Sequence, residues 1–372
     1  MTSLYLGPDK SGVSWLFDPD SPRLGDLGRQ ADARTPDSPC DFRAVAADLD
    51  ALPGLVADRH FGIATGVVTP AAAGAARELI ERAAARVRAE QPATWGDALG
   101  ELVGDLRRTV VDNHLLMAGT RQGRPPSAVG PAVETVEEHG VLCVVVRRFV
   151  GGPEDQRLLR EWADRGAEDL QAERVLVDLR ANAGGNDSFA YEWMEPAVTV
   201  GTTSPVSDEG WYVGETPLGV WNQATLMAAA IGEDQVPPWY LANRHKPGPG
   251  DVLRVVADPE NEPFGRRPDR WPGRMLVLVD RFTRSSGESA AWALRHALGA
   301  RMIGTRTAGM IEFGNMVPYL LPESGLHIAL PTKHNNFGIP VERVGMPVDL
   351  EIDTSRPLSE IAADFDTLHA AA

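Results

Sequence analysis

Leu276-Val-Leu-Val-Asp-Arg-Phe-Thr-Arg-Ser-Ser-Gly-Glu288 is the stretch whose reading decides the fold. It belongs to an apolar run, Met275 to Val279, short enough for a buried strand. Asp280 ends the run, and Thr283, Ser285, Ser286, Gly287 and Glu288 follow as a polar turn. Ser289-Ala-Ala-Trp-Ala-Leu-Arg-His296 then reads as a helix. A strand, a tight turn and a helix put the turn residues at a helix N-terminus. Free N–H groups and the dipole favour negative charge there. A serine hydroxyl at that point suits acyl transfer, because the N–H groups can receive the oxyanion that attack creates. The same residues also suit a plain capped helix, with Ser or Thr at the N-cap and Glu288 at N3 closing a capping box. The rest of the chain has to decide between the two.

The totals narrow the field. A length of 372 residues with 43% hydrophobic composition suits a globular protein of one large or two modest domains. No uninterrupted apolar run reaches the length of a bilayer span, and no membrane partner is expected. The first ten residues lack the basic end and apolar middle of a secretory signal. Cys40 and Cys143 cannot form a disulfide framework, so a reducing cytoplasm is the expected location. A net charge of −16 argues against nucleic acid as a partner. Basic charge is almost all arginine; the lysines are Lys10, Lys246 and Lys333.

Working outward, residues 1–40 are rich in Gly, Pro and Asp. From Asp41 the texture becomes helical. Phe42, Val45, Leu49 and Leu52 fall at helical spacing. Pro70 to Arg88 reads as an alanine-rich helix, and Thr94 is the expected N-cap of a helix over Trp95 to Val110. Residues 119–130 form a linker by composition. The expected division is a mostly helical N-terminal domain with its linker over 1–130, and an α/β core over 131–372. In the core, strands at Val141 to Val146, Val175 to Leu179, Val252 to Val256, Met275 to Val279 and Met302 to Ile303 alternate with helices such as Pro153 to Leu170. Leu326 to Leu330 is a further candidate strand. Residues 191–271 are irregular and hold Trp193, Trp211, Trp221, Trp239 and Trp271. They read as an insertion that caps the core or walls a substrate cleft.

Five elements in order carry a resemblance. Asp178-Leu-Arg-Ala-Asn-Ala-Gly-Gly185 resembles the Asp-x-Arg-x-Asn-x-Gly-Gly signature of the C-terminal processing peptidases. That clan includes the tail-specific proteases, the tricorn core and the retinoid-binding-protein repeats. Val279 to Glu288 resembles its nucleophile segment, and Ile303-Gly-Thr-Arg-Thr-Ala-Gly309 its Gly-x-x-Thr-x-Gly turn. Leu321 to Pro331 resembles its late hairpin, and Val341 to Asp349 more loosely its Glu-x-x-Gly ending, with the proline one residue early. The resemblance implies a layered α/β core of the ClpP/crotonase-like type with a helical N-terminal domain and no PDZ insertion. It also implies a serine peptidase with Ser285 as nucleophile. Gly184 and Gly185 would form one side of an oxyanion hole and the N–H of Ser286 the other.

The base is less direct. Many relatives carry a lysine just after the Gly-x-x-Thr-x-Gly turn, and here that position is Met310. The first-strand histidine of the tricorn type aligns with Val145. A third arrangement remains, with the histidine in an Asp-x-His element after an N-terminal helix and a glutamate in the late segment. Asp112-Asn-His114 and Glu342 fit it. The expectation is Ser285 as nucleophile, His114 as general base and Glu342 as the carboxylate that orients it. The N-terminal domain would have to dock for activity. His60, in the similar tripeptide Asp58-Arg-His60, and His334 are the rival bases.

The scattered histidines and cysteines make no metal site, and no phosphate loop or dinucleotide fingerprint occurs, so no cofactor is expected. The expected partner is a peptide or small acyl substrate, with oligomeric state left open. Two other functions fit the same residues. One is an esterase, lactonase or peptide cyclase acting on a small metabolite. The other, favoured by the missing lysine, is a non-catalytic binder of apolar ligands.

Overall fold

The computed structural model of the chain describes residues 34–117, 129–200, 273–321 and 323–372, with short pieces at 14–15, 211–215, 224, 236, 241–242, 256–257 and 264–266. The expected strand over Val252 to Val256 and the tryptophan-rich insertion fall mostly outside the described residues. The chain divides into two compact units, each made of three stretches. The first comprises 1–123, 213–260 and 313–335; the second comprises 124–212, 261–312 and 336–372.

The second unit is built on a six-stranded sheet. Its order is Leu350–Glu351, Arg301–Gly304, Arg274–Val279, Arg174–Asp178, Val141–Val146 and Val133–Glu138. All neighbours run parallel except the last pair, which is antiparallel. Both faces are buried, which is why the strands read as continuous apolar runs. Val144, Val175, Val177, Met275 and Val277 point into one core, under the helices Pro153–Asp164, Ser188–Met194 and Ser286–Leu298. Cys143, Leu176, Leu276, Leu278 and Ile303 point into another, under the C-terminal helices Leu358–Ala363 and Phe365–Ala371 through Ile361 and Phe365. The turns that follow Val146, Asp178, Val279 and Gly304 therefore gather at the carboxyl ends of parallel strands, where open α/β sheets place their sites.

The first unit packs the helices Phe42–Arg59, Pro70–Glu90 and Leu102–Val110 in one core with a hairpin of Phe313–Leu320 and His327–Phe337. Thr94 caps the helix after it as expected, its hydroxyl accepting from the Asp97 N–H. The helix expected over 95–110 is broken, because Gly100 leaves the helical region at φ 50 and a second helix starts at Leu102. Asp48 is buried and ties its helix to the hairpin turn, accepting from the N–H groups of Glu323 and Ser324. The strand Leu116–Met117 pairs with Ile328 and Ala329, so the chain just after His114 is anchored to the hairpin.

Candidate active site

Ser285 is the last residue before the helix Ser286–Leu298 and adopts φ 53, ψ −127. A non-glycine residue there is strained, and a strained serine on a strand-to-helix turn is a recurrent way to present a nucleophile. Two acceptors hold it. Its N–H donates to the Met310 carbonyl at 2.9 Å and to Glu288 Oε2 at 3.0 Å. The second bond is the reciprocal half of the capping box expected from the sequence.

Glu288 is fully buried. Besides Ser285, its carboxylate accepts from the N–H groups of Gly309 and Met310, both at 2.9 Å, and from the Thr307 hydroxyl. Burial is the main influence on its carboxyl and pushes it up to about 7, against the pull of these hydrogen bonds.

Gly184 and Gly185 lie against this turn. Gly184 has φ 88, and a Cβ there would fall 2.8 Å from Ser285 Cβ and 3.1 Å from the Ser286 nitrogen. Only glycine permits that approach. The Gly184 N–H is taken up within the turn by Asn182 Oδ1 at 2.8 Å. Phe149 bridges the next residues: its N–H donates to the Gly184 carbonyl, and its carbonyl accepts from the Asn186 N–H. The C=O and N–H of a trans peptide point in opposite directions. The Gly185 N–H and C=O therefore face away from Phe149, and that C=O accepts from the Ser286 hydroxyl at 2.8 Å.

Glu342 is buried in the same unit. Its Oε2 accepts from the N–H groups of Ile311 and Glu312, both at 3.0 Å. Glu312 answers by accepting from the Val341 N–H at 2.6 Å.

The three candidate histidines belong to the first unit. His60 is fully buried. Its Nδ1 accepts from the Ile63 N–H at 3.4 Å, and its Nε2 lies 3.2 Å from Asp112 Oδ2. The ring is thus enclosed by the fold, with its two nitrogens against Ile63 and Asp112. Asp112 Oδ1 accepts from the His114 N–H at 2.7 Å and shapes the turn that carries His114. His114 itself is 7% exposed. His334 stacks on Phe61 and lies tilted against Phe313, within the hairpin wall.

The sequence profile of peptidase family S41 matches residues 144–339, just over half of the chain. The chain belongs to peptidase family S41. This S41 peptidase is a serine peptidase-like hydrolase with a mixed α/β fold, of the C-terminal processing peptidase kind. No curated protein matches it in sequence. Among solved structures it is similar to a lipoprotein from Streptococcus agalactiae, with 14% identity, TM-score 0.48, and 89% of this chain and 98% of the other covered. It is also similar to a putative peptidase from Parabacteroides merdae, with 12% identity, TM-score 0.47, and 82% and 89% covered. The tricorn protease matches with 12% identity and TM-score 0.42, over 89% of this chain and 37% of its own.

In this S41 peptidase the Asp178 to Gly185 string is a scaffold. Arg180 pairs with Asp178 and donates to the carbonyls of Thr354 and Arg356. Asn182 Nδ2 donates to the Val146 carbonyl while its Oδ1 takes the Gly184 N–H. Asp280 stitches the two turns together, its Oδ1 accepting from the N–H groups of Ala181, Phe282 and Thr283. Sequence reasoning gave Asp280 no role and read Glu288 as a cap. The donors from 307–310 that complete the Glu288 site come from a distant segment and leave no local signal.

Proposed function

We propose that this chain hydrolyses peptide bonds through an acyl-enzyme on Ser285. The observation that carries the reading is the Ser285 turn itself, a strained serine at a helix N-terminus packed against Gly184. In the reaction, Ser285 Oγ attacks the acyl carbon and His114 takes the hydroxyl proton. His114 then gives that proton to the leaving amine, and water releases the acyl group by the reverse sequence. The developing oxyanion is received by the N–H groups of Gly185 and Ser286. Gly185 fits this role better than Gly184, whose N–H is already bonded to Asn182. Glu342 orients the imidazole and stabilises its charged form.

The choice of His114 over His60 rests on the full burial of His60, whose Nδ1 accepts from Ile63 and whose Nε2 lies against Asp112. It requires the first unit to deliver His114 to Ser285. A fluorophosphonate probe tests the reading. Wild type should be labelled and Ser285→Ala should not; equal labelling of the two would overturn it. His114→Ala should lose labelling while folded His60→Ala and His334→Ala retain it, and any other pattern reassigns the base. Product analysis with matched peptide and ester substrates then separates a peptidase from an esterase, lactonase or cyclase.

A further inference from the structure

The Ser285 turn depends on a group that does no chemistry on the substrate. Glu288 Oε2 holds the N–H of Ser285 and of Met310, and Oε1 holds the Gly309 N–H and the Thr307 hydroxyl. The three N–H groups can only donate. The Thr307 hydroxyl is the one neighbour that could turn to accept, and it already accepts from the Met346 N–H at 2.7 Å. A proton on Glu288 would therefore face an N–H donor, unless the Thr307 hydroxyl turned its own hydrogen away from the carboxylate to accept it. The geometry is made for a carboxylate, whereas full burial opposes the charge. Those opposed effects put the titration near neutral pH instead of far below it.

We propose that Glu288 is a positioning residue that works in its ionised form: the carboxylate clamps Ser285 in its strained turn against 307–310, and protonation loosens the clamp. The inference rests on the reading of Ser285 as nucleophile. Charged groups on the elements packed against it include Arg284 on the same turn, attracted by the Glu288 charge, Arg306 on the 304–310 loop, which donates to the Gly345 carbonyl, Arg343, whose backbone N–H donates to the Gly309 carbonyl, and Glu342 beyond Met310. Among the described residues, the hydrogen bonds to the Glu288 carboxylate come from residues 285, 307, 309 and 310.

The test is the rate of fluorophosphonate labelling across about pH 5 to 9, read as a log rate against pH. Wild type should show an acid limb steeper than one, because the proton on Glu288 adds a further drop of about tenfold to the limb of the base. Glu288→Gln, which keeps the shape but cannot ionise, should label about tenfold more slowly and show a slope of one. A folded Glu288→Gln with the wild-type slope overturns the proposal. If that variant does not fold, Thr307→Val serves: removing a donor should move the Glu288 limb to higher pH, and an unmoved limb is equally fatal. Absence of labelling in wild type at every pH sinks the nucleophile reading and this inference with it. Labelling with an unmoved limb sinks this inference alone.

Discussion

Ser285 and Glu342 hold opposite ends of one peptide group. The Ser285 N–H donates to the Met310 carbonyl at 2.9 Å, and the Ile311 N–H of that same peptide donates to Glu342 Oε2 at 3.0 Å. The Ser285 turn and Glu342 are therefore not independent. A shift in either tilts the peptide plane that the other holds, and the peptide is polarised in the same sense from both sides.

The strain at Ser285 has a measurable signature. Ser285→Ala and Ser285→Gly should both abolish labelling, but they should differ in stability. Glycine accepts φ 53, ψ −127 without the steric penalty of a Cβ. The glycine variant should be about 1 kcal/mol more stable than the alanine variant by chemical denaturation. Equal stabilities would mean that the turn is relaxed.

Gly184→Ala should do the reverse. The added methyl meets Ser285 Cβ at 2.8 Å in a backbone of φ 88, so the turn must move away from the serine. Stability should fall by about 1–3 kcal/mol. The labelling rate should fall by about 100-fold, since a displacement of about 1 Å is enough for that. A variant with wild-type labelling would show that the close approach is not needed.

Glu342 separates structure from chemistry through two substitutions. Glu342→Gln keeps an oxygen for the Ile311 and Glu312 N–H groups and should stay folded while turnover falls by at least about tenfold. Glu342→Ala leaves both donors without that acceptor and should also lose about 1–3 kcal/mol of stability. If the glutamine variant turns over normally, the carboxylate charge has no part in catalysis.

His60→Ala should lower the stability of the first unit by about 1–3 kcal/mol, because Asp112 loses its buried neighbour. Below its lowered melting temperature it should still be labelled. His114→Ala, read below its own melting temperature, should show no labelling. Thermal melts paired with labelling read both.

The raised carboxyl of Glu288 has a consequence for stability. Its folded pKa of about 7 lies above the ordinary 4.5, so its contribution is fully present below about 4.5 and is lost as pH rises through about 7. Wild type should therefore lose stability across that window relative to Glu288→Gln, whose curve lacks this component. Parallel denaturation midpoints for the two proteins from pH 4.5 to 7 would contradict it.

Much of the second unit was legible because its information is local. Val141–Val146, Arg174–Asp178 and Arg274–Val279 are buried on both faces and so read as plain apolar runs. The glycine pair and the serine turn were visible because their chemistry lies in consecutive residues. The strand Phe313–Leu320 was not, since Gly314, Pro318 and Asn315 at φ 49 interrupt its pattern, and its pairing comes from His327–Phe337. Val133–Glu138 was missed because its glutamates mask an edge strand that Val141–Val146 pairs in register. The helix Phe42–Arg59 runs through Pro53, where local rules would stop it. The carboxylate sites of Glu288 and Glu342 were only half visible, because their donors arrive from 307–312.

The interleaving of the two units sets an order of events during synthesis. Phe313, Tyr319 and Leu330 share one core with Leu49, Ile80 and Leu99. The early helices are made first, yet they lack their inner wall until residue 335 has left the ribosome, some fifty residues after Ser285. A nascent chain thus carries its serine turn well before the unit that holds His114 is complete. The second unit closes last, because its strand Leu350–Glu351 and its C-terminal helices follow the hairpin in the chain.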